Sequence, residues 1–373
     1  MAQLTKKEMI KAVEECIKNI ENKDFKVFFY VLDTKNNPSG SLEYIYSIAM
    51  SLSKMGYNVE MLHMEEDFVG VGDWFGQEYA NLTHRNVKKE NVEISASDFL
   101  FIPEIFANVM VQAKNLPCKK IMITKDYNFI TEFMPVGVRP STLNISDAIV
   151  TTKSQEEKLL NYFPEIRTHI VSPCIQNKFR PNNEPRKLII NIVSKDQSDV
   201  NRILKPFYWK HENYKWVGFR DLRGLSQETF CDALREAFLT IWIDEKSNFG
   251  FTPLEALRCG NVVVCKTTDV PSDWMVETLE DGSKTLTDAC VWFDDIDSLP
   301  DMIASIVRTW TLDKMPQGLL DAGRKFDTRY THEQQDNDIN KSIVKELFEK
   351  RVSDLKEFLI QLKNNNDEEK ESK

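Results

Sequence analysis

The 373-residue sequence predicts an α/β protein built as two doubly wound, Rossmann-like domains facing a cleft. Three observations carry that expectation. Apolar strand runs alternate with helical patterns along most of the chain. A polar, proline-bearing stretch, NKFRPNNEPRK, interrupts the alternation near its middle, after which the pattern restarts. The length exceeds what one ordinary core accommodates and suits two. The expected organisation is an N-terminal domain over 1–183 and a C-terminal domain over 184–335. A helix over 336–363 then packs back on the N-terminal domain, and a tail over 364–373 lacks structure.

Each element has a local reason. Met9, Ile10, Val13, Cys16, Ile17 and Ile20 recur at helical spacing, so a helix precedes the first strand. FKVFFYVL, Phe25–Leu32, is a continuous apolar run, as in a strand covered on both faces. The turn-rich DTKNNPSGS, a helix from near Ser41 to Met55 and the strand YNVEMLHM complete a βαβ unit. Further strands are expected at Phe99–Ile102, Lys120–Thr124, Ala148–Thr151 and His169–Val171. The second half repeats the rhythm with LIINIV, YKWVGF, LTIWID and NVVVCK, separated by helices near Val200–Trp209, Gln227–Ala237 and from Thr252. Ile343, Leu347, Val352, Leu355 and Leu359 stripe the last, long helix. NNNDEEKESK carries no apolar residue with which to pack.

Composition removes several function classes. The net charge of −10 and pI near 5.3 argue against charge-driven binding to nucleic acid or anionic membrane. Seven scattered cysteines without a C-x-x-C pair suit neither a disulfide framework nor a zinc knuckle. No apolar run reaches membrane-span length, and the charged N-terminus lacks a secretory signal's apolar region, so a cytoplasmic location is expected.

The chemistry concentrates in LTIWIDEKSNFGFTPLEALRCGNVVVCK. A strand ends at Asp244, a short loop carries Phe249 and Gly250, and a helix begins near Thr252 with Glu255 one turn in. Backbone N–H groups at a helix N-terminus, with its positive dipole end, suit a diphosphate. Gly250 permits close backbone approach, Thr252 is a candidate cap and Pro253 fits the first turn. Glu255 projects back toward the loop, where a carboxylate can accept bonds from ribose hydroxyls.

Phe249, Gly250, Glu255, Ala256, Cys259 and Gly260 resemble the signature of retaining GT-B glycosyltransferases that use nucleotide-diphosphate sugars. That resemblance implies sugar transfer to a glycan or other small acceptor, probed from the N-domain side, with no cofactor beyond the nucleotide-sugar co-substrate and no metal. It implies donor binding by Gly40, Lys195, Phe249, Gly250, Phe251, Thr252 and Glu255. Lys125, Asp126 and Ser247 stand at the positions that imply catalytic contact with the donor sugar. The family pattern has glutamate where this chain has Ser247, with Glu245 two residues earlier, and histidine where it has Lys125. Lys195 matches the first of two phosphate-gripping cations. The second falls near Val200, with Arg202 and Lys205 as displaced candidates.

FDDID, Phe293–Asp297, contains a D-x-D, but its place in the chain suits a strand-to-helix junction better than a metal site. Two alternatives accompany the transferase reading. The divergent residues also resemble viral glycosyltransferases that modify DNA bases, and the departures at Ser247 and Lys125 fit a degenerate GT-B protein that binds nucleotide or glycan without catalysis.

Overall fold

The computed structural model describes residues 5–182, 184–244, 246–313 and 317–371. Its first domain holds seven parallel strands: β1 (Lys26–Tyr30), β2 (Asn58–His63), β3 (Thr83–Asn86), β4 (Phe99–Pro103), β5 (Lys119–Thr124), β6 (Ile145–Val150) and β7 (Arg167–Ile170). Their order across the sheet is β3-β2-β1-β4-β5-β6-β7. Val27, Phe28 and Phe29 of β1 are all fully buried, because helices cover both faces of the sheet. Phe29 stacks on Phe101 of β4 with centroids 4.7 Å apart, which ties the two central strands together.

The second domain contains β8 (Lys187–Ser194), β9 (Gly218–Asp221), β10 (Ala237–Ile243), β11 (Val262–Lys266), a hairpin of β12 (Val276–Thr278) and β13 (Lys284–Leu286), and β14 (Val291–Phe293). Its five-stranded sheet runs β14-β11-β10-β8-β9. Chain direction across the sheets reverses between β1 and β4 in the first domain and between β8 and β10 in the second. Loops diverge at such switch points and leave a crevice beyond the strands' carboxyl ends. Both crevices open onto the same cleft.

Two strands departed from their expected places, for related reasons. The run YKWVGF is not a strand as a whole. Glu212–Tyr214 forms a tight 3₁₀ turn, and only Gly218 onward enters the sheet. β9 lies at the sheet edge and is half-buried throughout, so its sequence carries no strong apolar signature. β3 (THRN) is another polar edge strand, and it went unread.

From His332 the chain turns helical and leaves the second domain. The helix widens to i→i+5 spacing over Asn340–Glu349 and continues from Lys350 to Glu371. It therefore enters the segment expected to lack structure, since an established helix extends at small cost per residue. Residues 372–373 of that segment lie outside the described residues. The helix packs on the first domain, where Phe348 meets Phe25, Tyr57 and Phe99 at centroid distances of 5.2, 5.3 and 4.3 Å. Ser342 Oγ donates to the Ile170 carbonyl at 2.9 Å, and Lys356 and Lys363 pair with Glu21 and Glu14 of the N-terminal helix Lys6–Glu21. Those ion pairs are exposed and contribute little; the aromatic contact dominates.

Polar bonds close the seam between domains. Asp126 Oδ1 accepts from the Asn248 N–H at 2.7 Å, while the Tyr127 N–H donates to Asn248 Oδ1 at 2.9 Å. Asp273 of the second domain receives the N–H groups of Lys153 and Ser154 at 2.7 and 3.0 Å, at the start of the first-domain helix Lys153–Tyr162. A carboxylate there satisfies orphan donors and complements the dipole. The Gln227 N–H donates to the Trp74 carbonyl at 3.1 Å.

Phe348→Ala should destabilise the protein by about 3–5 kcal/mol, the usual cost of emptying a large aromatic site. Urea denaturation followed by circular dichroism measures it. Asp273→Ala should cost about 1–2 kcal/mol in the same experiment, as for other lost helix caps.

Candidate active site

The cleft holds a cavity of about 740 Å³ bounded by both domains. Its first-domain wall comes from loops after β1, β4 and β5, and from the start of the helix Gly40–Lys54. Loops after β8, β9 and β10 and the start of the helix Phe251–Arg258 supply the other wall. Gly40, Lys125, Asp126, Lys195, Ser247, Phe251, Thr252 and Glu255 all border this space. Chain folding has thus brought four separate stretches of the sequence, around Gly40, Lys125, Lys195 and 247–255, to one cavity.

Gly40 has a steric role. A Cβ on it would lie 3.0 Å from Phe251 Cδ2, so a larger residue would press the first-domain helix against the second domain. Gly250 is the residue before the helix, with φ +72°, and its missing Cβ would fall 2.7 Å from Met275 Cε. Both the backbone conformation and the crowding demand glycine.

Several assignments change. Thr252 is not the cap: the helix starts at Phe251, Gly250 precedes it, and no side chain satisfies its first N–H groups. Those donors therefore remain available to an anion. Neither Phe249 nor Gly250 borders the cavity. Phe249 is fully buried, packs edge-on against Phe251 and Tyr330, and accepts from Trp274 Nε1 through its carbonyl at 2.6 Å. Its aromatic ring braces the loop from behind. Glu245 lies outside the described residues.

Lys125 and Asp126 form a buried ion pair, Nζ to Oδ2 2.7 Å, and the Lys125 ammonium stands 5.7 Å from the Phe251 ring centroid. The other oxygen of Asp126 is committed to Asn248. Glu104, which the sequence reading overlooked, lies beneath the pair. Its Oε1 accepts from the N–H groups of Lys125 and Asp126 at 3.2 and 3.0 Å, and burial pushes its pKa up to about 7. The Gln155 carboxamide also donates to the Lys125 carbonyl. These contacts fix the loop after β5 against the cleft. Ser247, next to Asn248, is half-buried and presents a hydroxyl where a carboxylate was the family expectation.

The second-domain wall of the cavity carries two cations, Lys195 and Arg223, one of them unforeseen. Lys195 is exposed after β8, with its Nζ 2.8 Å from Asp244. Arg202 instead pairs with Asp297 at 2.8 Å on the outer surface, and Lys205 does not border the cavity. Arg223, following β9, is the second cation on this wall. It borders the cavity and is held by Asp221 at 2.6 Å and by Gln197. Its absence from the sequence reading follows from the misplaced edge strand: with β9 located at YKWVGF, Arg223 fell into an unassigned loop. Glu43 and Gln227 also went unread, because a Glu one turn into an amphipathic helix and a Gln opening another look like surface residues.

The D-x-D of FDDID forms a strand-to-helix junction. Asp295 precedes the turn Ile296–Ser298 and accepts from the Asp297 N–H at 3.0 Å. Among the described residues no cluster of three or more His, Cys, Asp or Glu side chains has metal-holding geometry, and no helix is long and apolar enough to cross a membrane.

No protein-family profile matches the sequence. It is similar to a curated alpha-1,6-glucosyltransferase of Actinobacillus pleuropneumoniae serotype 7 (strain AP76), 21% identical over 248 residues, 65% of this chain and 73% of that protein. Sucrose-phosphate synthase from Thermosynechococcus elongatus matches in structure with a TM-score of 0.59 at 12% identity, over 87% of this chain and 99% of its own. The pneumococcal O-GlcNAc transferase GtfA, solved with UDP and GlcNAc, matches with a TM-score of 0.56 at 8% identity, over 89% and 99%. Together with two parallel sheets whose carboxyl ends share one cleft, these matches identify the architecture: the chain has the GT-B fold of the nucleotide-sugar-dependent glycosyltransferases it resembles.

Proposed function

We propose that this chain is a glycosyltransferase that moves a sugar from a nucleotide-diphosphate sugar to an acceptor hydroxyl, with retention at the anomeric carbon. One observation carries the reading. Lys195, Arg223 and an uncapped helix N-terminus at Phe251 converge on one wall of the interdomain cavity, and Glu255 lies one turn along that helix. Two cations and free N–H donors complement a diphosphate, and a carboxyl beside them suits a ribose.

In this reading the nucleotide rests on the second domain and the acceptor approaches along the first, past Gly40 and Lys125. The bond between the anomeric carbon and the diphosphate breaks, and the acceptor oxygen bonds to that carbon. The acceptor's proton leaves with the departing diphosphate. Lys125, Lys195, Arg223 and the helix N-terminus stabilise the charge that develops on the leaving group, and the scheme calls on no metal. Ser247 contributes a hydroxyl near the donor sugar where a carboxylate would otherwise bear charge. Asp126 positions Lys125 through their ion pair. UDP-glucose is the first donor to try, since the curated relative is a glucosyltransferase and the pneumococcal structure holds UDP.

Isothermal titration with UDP, GDP and ADP sugars should find one nucleotide that binds. Lys195→Ala and Arg223→Ala should each weaken it about tenfold, the scale of one exposed charge-assisted contact. Glu255→Ala should abolish ribose-dependent selectivity, and release of the nucleoside diphosphate in the presence of acceptor reports transfer. Binding without release across a broad acceptor panel would instead favour a nucleotide-holding GT-B protein in which Ser247 has ended catalysis.

A further inference from the structure

Three polar side chains meet where the two domains touch at the cavity. Glu43 comes from the first-domain helix Gly40–Lys54, Gln227 opens the second-domain helix Gln227–Glu236, and Glu255 lies on Phe251–Arg258. All three are buried, at 6, 5 and 5% exposure. Glu43 Oε1 and both polar atoms of the Gln227 carboxamide make no well-formed hydrogen bond, although the carboxamide lies close enough to Glu43 to favour its charged form. Gln227 nevertheless stands beside Glu43, and its backbone is tied to Trp74 of the first domain at 3.1 Å. Leaving such groups unpaired is costly, so their retention at the cavity edge calls for a role.

We propose that Glu43 is a positioning residue for Glu255: the two carboxyls, one from each domain, work as a neutral pair beneath the donor's ribose, and ionising them opposes both donor binding and closure of the domains. This rests on the reading of Glu255 as the ribose contact.

The physical basis is the surroundings of the pair. Burial raises the proton affinity of Glu43 most, bringing its pKa to about 8, and Lys178, the nearby Gln227 carboxamide and Lys125 only partly offset that. Glu255 is raised well above the carboxylate range, by burial first and then by Glu43 and Cys231, against Lys178 and Arg258. Tyr79, Cys174 and Cys259 also face the pair; all three have raised proton affinity and stay neutral in this range, which leaves Lys178, Lys125 and Arg258 as the charged neighbours. A neutral carboxyl can both donate and accept, as a sugar hydroxyl requires, whereas two carboxylates here would repel each other across the seam.

The sign of the pH effect follows. A carboxyl whose pKa is raised on folding contributes stability that is fully present below its unfolded value of 4.5 and is lost as pH rises through about 8. The ligand-free protein should therefore lose thermal stability between pH 5 and 8.5; Glu43→Gln, an isostere of the neutral acid, should remove the share of that fall due to Glu43 and leave the shares of Glu104, raised to about 7, and of Glu255. Glu43→Ala should be less stable than Glu43→Gln at every pH. UDP-glucose provides the second measurement, because its diphosphate has no proton to lose in this range. Its affinity for the native protein should drop above pH 8, by up to about tenfold per pH unit for one proton, and the drop should vanish in Glu43→Gln. An unchanged pH slope in Glu43→Gln, in either measurement, overturns the proposal. If UDP-glucose fails to bind at any pH, the donor assignment is at fault, and the ligand-free titration still decides whether the pair is neutral.

Discussion

The reciprocal pairing of Asp126 and Tyr127 with Asn248 sets how the two halves of this molecule meet. Asp126 uses one oxygen to hold Lys125 at the cleft and the other to grip the second domain. The loop after β5 and the loop after β10 are therefore tied to each other. Phe251 can pack against Gly40 only at this separation, and the cavity takes its shape from the gap that remains. A buried ion pair is expensive to form and more expensive to break from one side, which makes it a stringent determinant of geometry.

The second structural constraint is topological. The first domain's aromatic cluster of Phe25, Tyr57 and Phe99 is completed by Phe348, from a segment that follows the entire second domain. The first domain cannot finish its core until the last helix has crossed back. Folding of the two halves is thereby linked through the C-terminal helix, and movements of one domain over the other must bend that crossing. The widened stretch over Asn340–Glu349 lies within it, carrying Phe348.

Much of the candidate site consists of groups that are satisfied by each other. Glu104 serves the backbone at Lys125 and Asp126, and Asp244 and Asp221 hold Lys195 and Arg223. Glu43 Oε1 and the Gln227 carboxamide differ, because they are buried atoms without a well-formed hydrogen bond. This distinction separates scaffolding from recognition: a paired group holds shape, and an unpaired buried one has capacity for a ligand.

The sequence alone determined the two α/β halves and the strand–loop–helix order between Leu239 and Gly260, because continuous apolar runs and a strand–glycine loop–helix order report local burial directly. Periodicity also placed the N-terminal and C-terminal helices. It did not find β3 or the true extent of β9, whose edge positions require no apolar signature. For the same reason it passed over Arg223 and chose Arg202 and Lys205, which the fold turns away from the cavity. Whether Phe249 would touch a ligand or brace a loop depended on Tyr330, some eighty positions later. Which carboxyls would face one another depended on the docking of two domains, since the proximity of Glu43 to Glu255 arises from a contact between helices more than two hundred residues apart. Local chemistry is written in neighbouring residues; the electrostatics of a cleft come into being only when its two walls meet.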